Sequence, residues 1–177
     1  MNQPLSERFA VPARILHWLM AALILAMLLI GAGMVSTASE RYPLLLAWHR
    51  PIGLAILILA LIRIVVRLTH RPPPLPADLP PAQTALAKGS HYLFYLLMIA
   101  MPLIGWAMQS AGGYPVAVWP GFALFPILPH DVALYASLRQ AHGLLAYAFF
   151  LLILGHLGAA LFHGLVRRDG VLRSMTG

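Results

Sequence analysis

Apolar residues fall in four long blocks, separated by short clusters of proline, glycine and charge. The first, from Ile15 to Val35, reads ILHWLMAALILAMLLIGAGMV and holds no Asp, Glu, Lys or Arg. The second runs from Leu45 to Leu68 and is interrupted only by Arg50, Arg63 and Arg67. The third runs from Leu86 to Met108 and the fourth from Leu138 to Val166. A helix needs about 20 mostly apolar residues to cross the hydrocarbon of a bilayer, and each block reaches that length. The pattern therefore predicts an all-α integral membrane protein, a four-helix transmembrane bundle in a single domain over 1–177. Its helices are expected at about 15–35, 45–68, 86–108 and 138–166. A cleaved signal peptide is the rival reading of the first block, but its apolar stretch exceeds the ~7–15 residues of such a segment, so it is read as a helix.

Two connections are long. THRPPPLPADLPP, between the second and third blocks, reads as a stiff polar strap. SAGGYPVAVWPGFALFPILPHDVALYAS, between the third and fourth, has an apolar stretch from Val116 to Leu128 that Pro120 and Pro126 break. It is too short to span, and predicts an interfacial or lid-like segment. No internal repeat or low-complexity tail is present.

Composition sharpens this picture. The 177 residues are 60% hydrophobic and 10% charged, with a mean hydropathy of +0.81, well outside the range of soluble domains. The formal net charge of +7 is distributed unevenly about the four blocks. Arg8, Arg14, Arg63, Arg67, Arg71, Lys88, Arg167, Arg168 and Arg173 fall on the side shared by both termini, and only Arg41, Arg50 and Arg139 fall opposite. Basic residues are retained on the cytoplasmic side, so both termini are expected in the cytoplasm. The charge is then a topology signal and a contact with anionic lipid, and no water-facing domain exists to bind nucleic acid. The absence of cysteine excludes disulfides, thiolate zinc sites, cysteine-held iron–sulfur clusters and covalently attached haem.

Histidine is the residue that this apolar background does not explain. His142 and His156 are fourteen residues apart in the fourth block, which on a helix is roughly 40° short of four turns, and about 21 Å along the axis. They share a face at two depths, and His163, seven residues on, extends that stripe. His17 lies near the inner start of the first block and His49 near the outer start of the second. The expected pairs are His17 with His156 towards the inside, and His49 with His142 towards the outside. Ionisable side chains within a membrane are costly and face the bundle interior for a reason. Two imidazoles from facing helices suit haem iron, whereas zinc needs further ligands, and no carboxylate lies inside any block. Gly143, Gly155, Gly158, Gly53 and Gly105 are small enough to admit a flat macrocycle, although glycine is also common in membrane helices. The competing account is that the histidines only hydrogen-bond between helices, as in a small transporter or structural membrane protein.

The strings RILHWL, AWHRPIGLAILILALIRIVVRL, SHYLFYLLMIAMPLIGW and QAHGLLAYAFFLLILGHLGAALFH, taken in this order and spacing, resemble the bacterial cytochrome b-561 family from about Arg14 to Leu172. The resemblance implies two non-covalent b haems whose iron ligands are His17, His49, His142 and His156. It implies the activity of a superoxide oxidase, carrying electrons from superoxide outside through the haems to ubiquinone. Relatives also serve as di-haem electron-transfer subunits of respiratory dehydrogenase or hydrogenase complexes. That is the alternative function, and it would bring a respiratory-complex partner.

The remaining polar residues are read against that expectation. Arg50 and Arg139 are candidates for guiding anionic superoxide to the outer haem, or for pairing with its propionates. Arg41 reads as a solvated loop charge. Arg63 and Arg67, four apart on one face, either snorkel to lipid phosphate or contact the inner haem's propionates. His91 and His163, which have counterparts in the family pattern, are candidates for a quinone site, where imidazole can hydrogen-bond a carbonyl and supply a proton. Their plainer reading is as interfacial side chains. Trp18 and Trp106 read as anchors or packing, His70 and His130 as solvated, and Pro102 as a kink.

Overall fold

Helices form where the apolar blocks lie, and each begins several residues ahead of its block. The computed structural model describes residues 8–36 and 41–176; residues 1–7, 37–40 and 177 of the expected 1–177 domain lie outside the described residues. The four long helices are α1 (Val11–Ser36), α2 (Arg41–Thr69), α3 (Pro81–Ala111) and α4 (Val132–Leu161), and all four are long and apolar enough to cross a membrane. α3 starts five residues ahead of its apolar block because Pro81 stands in its first turn, where a missing N–H costs nothing. α4 starts six residues early because the carboxylate of Asp131 accepts a hydrogen bond from the Leu134 N–H at 2.9 Å, capping the helix.

α1 packs on α2, α2 on α3, and α3 on α4, whereas α4 scarcely meets the backbones of α1 and α2. The buried core is a belt at mid-depth built from Met20, Ile24, Ile56, Ala60, Leu97, Met98 and Phe149. Large apolar side chains on the outer faces, such as Leu29, Val35 and Leu68, are exposed, as lipid-facing positions must be.

The long connection from α3 to α4, expected as an interfacial or lid-like segment, is structured. It folds into a hairpin of β1 (Val116–Trp119) and β2 (Phe122–Leu124), paired antiparallel with a bulge between Ala117 and Trp119. Pro120 and Gly121 make the turn, and Gly121 takes φ +81°, a conformation open to glycine without strain. Val116 and Val118 point inward, and β1 packs on α2 and α3. Trp106 donates its indole N–H to the Phe125 carbonyl at 2.8 Å, and the Ile127 N–H donates to the buried Ser110 hydroxyl at 3.1 Å. The prolines that stop this stretch from spanning are thus those that shape a cover over the outer end.

At the opposite end α4 continues as a π-helical turn, Phe162–Arg167, and then stops at Arg168, which adopts a left-handed conformation (φ 54°). A short helix, α5 (Val171–Thr176), follows. The Phe9 N–H donates to the Ser174 carbonyl at 3.1 Å, and the Trp18 indole N–H donates to the Met175 carbonyl at 3.2 Å. Both ends of the described chain therefore meet at one end of the bundle.

At the outer end of α3, a Cβ at Gly112 would stand 2.6–2.9 Å from ring atoms of Tyr114 and Tyr135. Gly112→Ala is expected to destabilise the protein by about 1–3 kcal/mol through this overpacking. Gly89, in α3 with nothing within 4 Å of an added Cβ, is the control, since alanine there relieves glycine's helix penalty. Thermal unfolding in detergent should show a lower midpoint for Gly112→Ala but not for Gly89→Ala; equal midpoints would contradict this packing.

Candidate functional site

A histidine in the hydrocarbon must point at a partner, and the helices here place four of them so that they point at one another. His17 on α1 and His156 on α4 stand with ring centroids 6.2 Å apart and planes at 63°. His49 on α2 and His142 on α4 stand 6.1 Å apart with planes at 61°. Both pairs reach across to α4 from helices whose backbones scarcely touch it. The belt residue Phe149 lies seven residues from each α4 histidine, about 10 Å along the axis in either direction. Its ring meets Phe94 edge-on at 5.9 Å, and Phe94 in turn meets His156 at 5.1 Å.

The outer pair is incomplete as a hydrogen-bonded unit. Nδ1 of His49 and Nδ1 of His142 are buried without a hydrogen-bond partner of ordinary geometry; the Met101 carbonyl acts on the His142 ring without closing such a bond. A buried polar atom left so costs about 1–3 kcal/mol, which argues against a purely structural role for these imidazoles. Small residues line the rings: a Cβ at Gly31 would lie 3.8 Å from His49 Cε1, and one at Gly105 would lie 3.5 Å from His142 Cε1. Along α4 nothing lies within 4 Å of a Cβ built at Gly143, Gly155 or Gly158. Gly53 differs, because its open side is filled by Met27 of α1, so it serves helix packing.

Among the described residues no three histidine or acidic side chains converge as a set for a bare metal ion. Two imidazoles per level suffice only for an ion that brings its other ligands with it, as haem iron does with four porphyrin nitrogens. The ring separations agree, since a metal–imidazole bond of about 2 Å on each side, plus half a ring on each side, spans about 6 Å. The donor set and its glycine-lined surroundings therefore fit a haem at each level.

Cations attend both levels. Arg50 donates from Nη2 to Gln109 Oε1 at 2.8 Å, while its Nε is buried without a partner. Arg14, three residues before His17, likewise has a buried, unpartnered Nε. Arg63 directs Nη2 at His17 Nδ1, 3.3 Å away. Arg67 is exposed and lines, with Arg63, His70, Phe9 and Met175, a shallow groove. Arg139 is exposed on α4, one turn before His142. Buried, half-satisfied guanidinium groups beside the histidines suit the carboxylates of a bound macrocycle.

The two histidines read as quinone candidates are separated by their contacts. The His91 N–H at Nδ1 donates to the Ala87 carbonyl at 2.7 Å, and the ring lies 5.9 Å from that of His156. His91 is thus a third imidazole at the inner level. His163 belongs to the π-helical turn and meets Asp169 through Nδ1 at 2.5 Å. Arg167 donates from Nε to the same carboxylate oxygen at 2.9 Å, and from Nη2 to Asp78 of the strap at 2.7 Å. Although burial pushes it up, the hydrogen bonds from His163 and Arg167 hold the Asp169 carboxyl below the usual carboxylate range.

Sequence reasoning passed over Arg14, Gln109, Gly31 and Asp169. Arg14 stands three residues from His17 on the same helical face, a spacing that could have found it. Asp169 could not be found that way, because the left-handed Arg168 turns it back on His163. His130, read as solvated, is exposed and also donates from Nδ1 to the Ala111 carbonyl at the end of α3, at 3.1 Å.

The sequence profile described as "Prokaryotic cytochrome b561" matches residues 8–177. The chain is 30% identical over 175 residues to "Cytochrome b561 homolog 2" of Escherichia coli strain K12, covering 97% of this chain and 92% of the relative. It is 36% identical over 131 residues to "Probable superoxide oxidase CybB" of Yersinia pestis, covering 72% of each. It is 30% identical over 173 residues to "Cytochrome b562" of Cereibacter sphaeroides, covering 90% of this chain and 89% of the relative.

The inner ion network carries a pH dependence. The Asp169 carboxyl is held lower in the fold than the value near 3.9 of an unfolded chain. Its contribution to stability is therefore complete above about pH 4, and is lost as pH falls through the depressed value. Amide exchange across 163–174, after correction for intrinsic rates, should show protection falling below pH 4; protection unchanged down to pH 2 would contradict the network.

Proposed function

The chain belongs to the prokaryotic cytochrome b561 family, whose members are multi-pass membrane redox cytochromes with b haem, and on that premise we propose that it is a superoxide:ubiquinone oxidoreductase. The observation that carries this reading is the presence of two facing imidazole pairs, each with one member on α4, one at each end of the mid-depth belt. The similarity to the probable superoxide oxidase supports the choice of donor.

In this reading His49 and His142 hold the outer haem, and His17 and His156 the inner one. Bound haem supplies a one-electron ferric–ferrous couple at each level. Every other part of the work falls to the chain. The four imidazoles would hold the two haem irons, two to each, and small molecules would then be met at the edge of the site by the chain's own side chains. Arg50 and Arg14 offer unsatisfied Nε donors to propionates, with Arg63 and Arg67 as further inner cations. Arg139, exposed beside the outer pair, supplies a positive field that draws superoxide in, and such focusing raises on-rates by about 10–10³. The hairpin covers the neighbouring end of α2 and restricts the approach.

Electrons leave at the inner end to ubiquinone. Two superoxide anions, one quinone and two protons become two dioxygen molecules and one quinol. The quinone therefore needs proton donors, and His91 and His163 are the imidazoles at that end. The protein is placed in the bacterial inner membrane with both termini in the cytoplasm. The nine-to-three division of Lys and Arg supports that orientation, and the meeting of Phe9 with Ser174 supports a shared side for the two ends.

Removal of single ligands tests the assignment. His142→Ala should lose the outer haem and His156→Ala the inner one, each falling from two haems per chain to about one by pyridine haemochrome assay. Retention of two haems by either variant would overturn the pairing. His163→Ala should keep both haems and lower superoxide-driven quinone turnover by about 10²-fold or more, the usual worth of a positioned acid; unchanged turnover would remove it from the quinone site.

A further inference from the structure

His163 is held by a carboxylate that the haem sites do not use. Its ring and the Asp169 carboxylate are both largely buried, with side-chain exposures of 17% and 12%. They meet only because of two local departures from regular helix. The π-helical turn of Phe162–Arg167 carries His163, and Arg168 in the left-handed region reverses the chain immediately afterwards. A non-glycine residue in that conformation is strained, so the contacts that follow must hold it there. Those contacts are the bonds to Asp169: from His163 Nδ1, from Arg167 Nε at 2.9 Å, and from the Val171 N–H to Oδ1 at 3.2 Å. Arg167 then ties the group to Asp78 of the strap.

We infer that Asp169 is a positioning residue for quinone reduction, fixing His163 with Nδ1–H towards the carboxylate and Nε2 as the atom that exchanges a proton with the quinone. This role rests on the reading of the inner end as a quinone site. A carboxylate accepts and cannot donate, so the short contact requires the proton on His163 Nδ1. Nε2 is then the ring's remaining polar atom. The imidazolium gives its Nε2 proton to a carbonyl oxygen of the quinone as that quinone takes up electrons delivered from superoxide. It returns to the neutral Nδ1–H form and is reprotonated at Nε2 from water at the strap side. Asp169 stays ionised throughout, and Arg167 keeps it so. The charged groups recorded against this pair are Arg167 on its own element and, beyond it, Asp78 on the strap.

Asp169→Asn and Asp169→Glu in the purified two-haem protein test this role. Asp169→Asn is expected to retain two haems per chain, to lower kcat for ubiquinone reduction about 10-fold or more, and to leave KM within about twofold. Asp169→Glu should restore most of that kcat. Nitrogen-15 NMR of labelled histidine, with His163→Ala identifying the resonance, should show His163 protonated at Nδ1 in the wild type and a mixed tautomer in Asp169→Asn. If the wild type reduces quinone and Asp169→Asn matches it in kcat and tautomer, the positioning role is wrong while the quinone reading stands. If the wild type does not reduce quinone at all, both fall together.

Discussion

Imidazole in hydrocarbon must be satisfied from within the protein, and this bundle depends on how it meets that demand. No water is at hand, and an ionisable group at the bilayer centre costs several kcal/mol unless it is paired or ligated. Four of the histidines answer by facing one another across the space between α4 and the pair α1–α2, at separations of 6.2 and 6.1 Å. Helices packed fully against one another would close that space. Here α1 leans on α2 and α4 on α3, and a wide side is left that the histidines bridge.

The belt of Met20, Ile24, Ile56, Ala60, Leu97, Met98 and Phe149 keeps the two levels apart. Among the described residues it is the buried cluster to which all four long helices contribute, and it leaves both ends free for polar chemistry. Each end is then finished differently. The outer end is covered by the hairpin, through Trp106, Ser110 and two buried valines. The inner end is tied by ions, through His163, Asp169, Arg167 and Asp78. On the function proposed above, an apolar cover would suit the end where a small anion is steered, and an ionised network the end where protons are supplied.

Much of this was legible in the sequence because a bilayer allows few solutions. Only helices satisfy their own backbone in lipid, so four apolar blocks meant four helices. A spacing of fourteen on a straight helix put His142 and His156 on one face. Legibility ended where the chain leaves helical regularity. The hairpin was hidden because its strands are three and four residues long and lie in a run whose prolines signalled only interruption. Asp131 was an N-cap overlooked because apolar periodicity begins later. Asp169 meets His163 through a π turn and a left-handed residue, and neither follows from spacing. Arg14 was counted for topology alone, although its spacing from His17 already set it beside that ring.

The most direct test of this account is anaerobic optical spectroscopy of the purified protein, with haem quantified per chain, on addition of superoxide and then of ubiquinone. The account predicts two b haems per chain that superoxide reduces and ubiquinone reoxidises. A protein whose haems stay oxidised in superoxide would contradict it, and would make the chain an electron carrier for a partner instead of an enzyme in its own right.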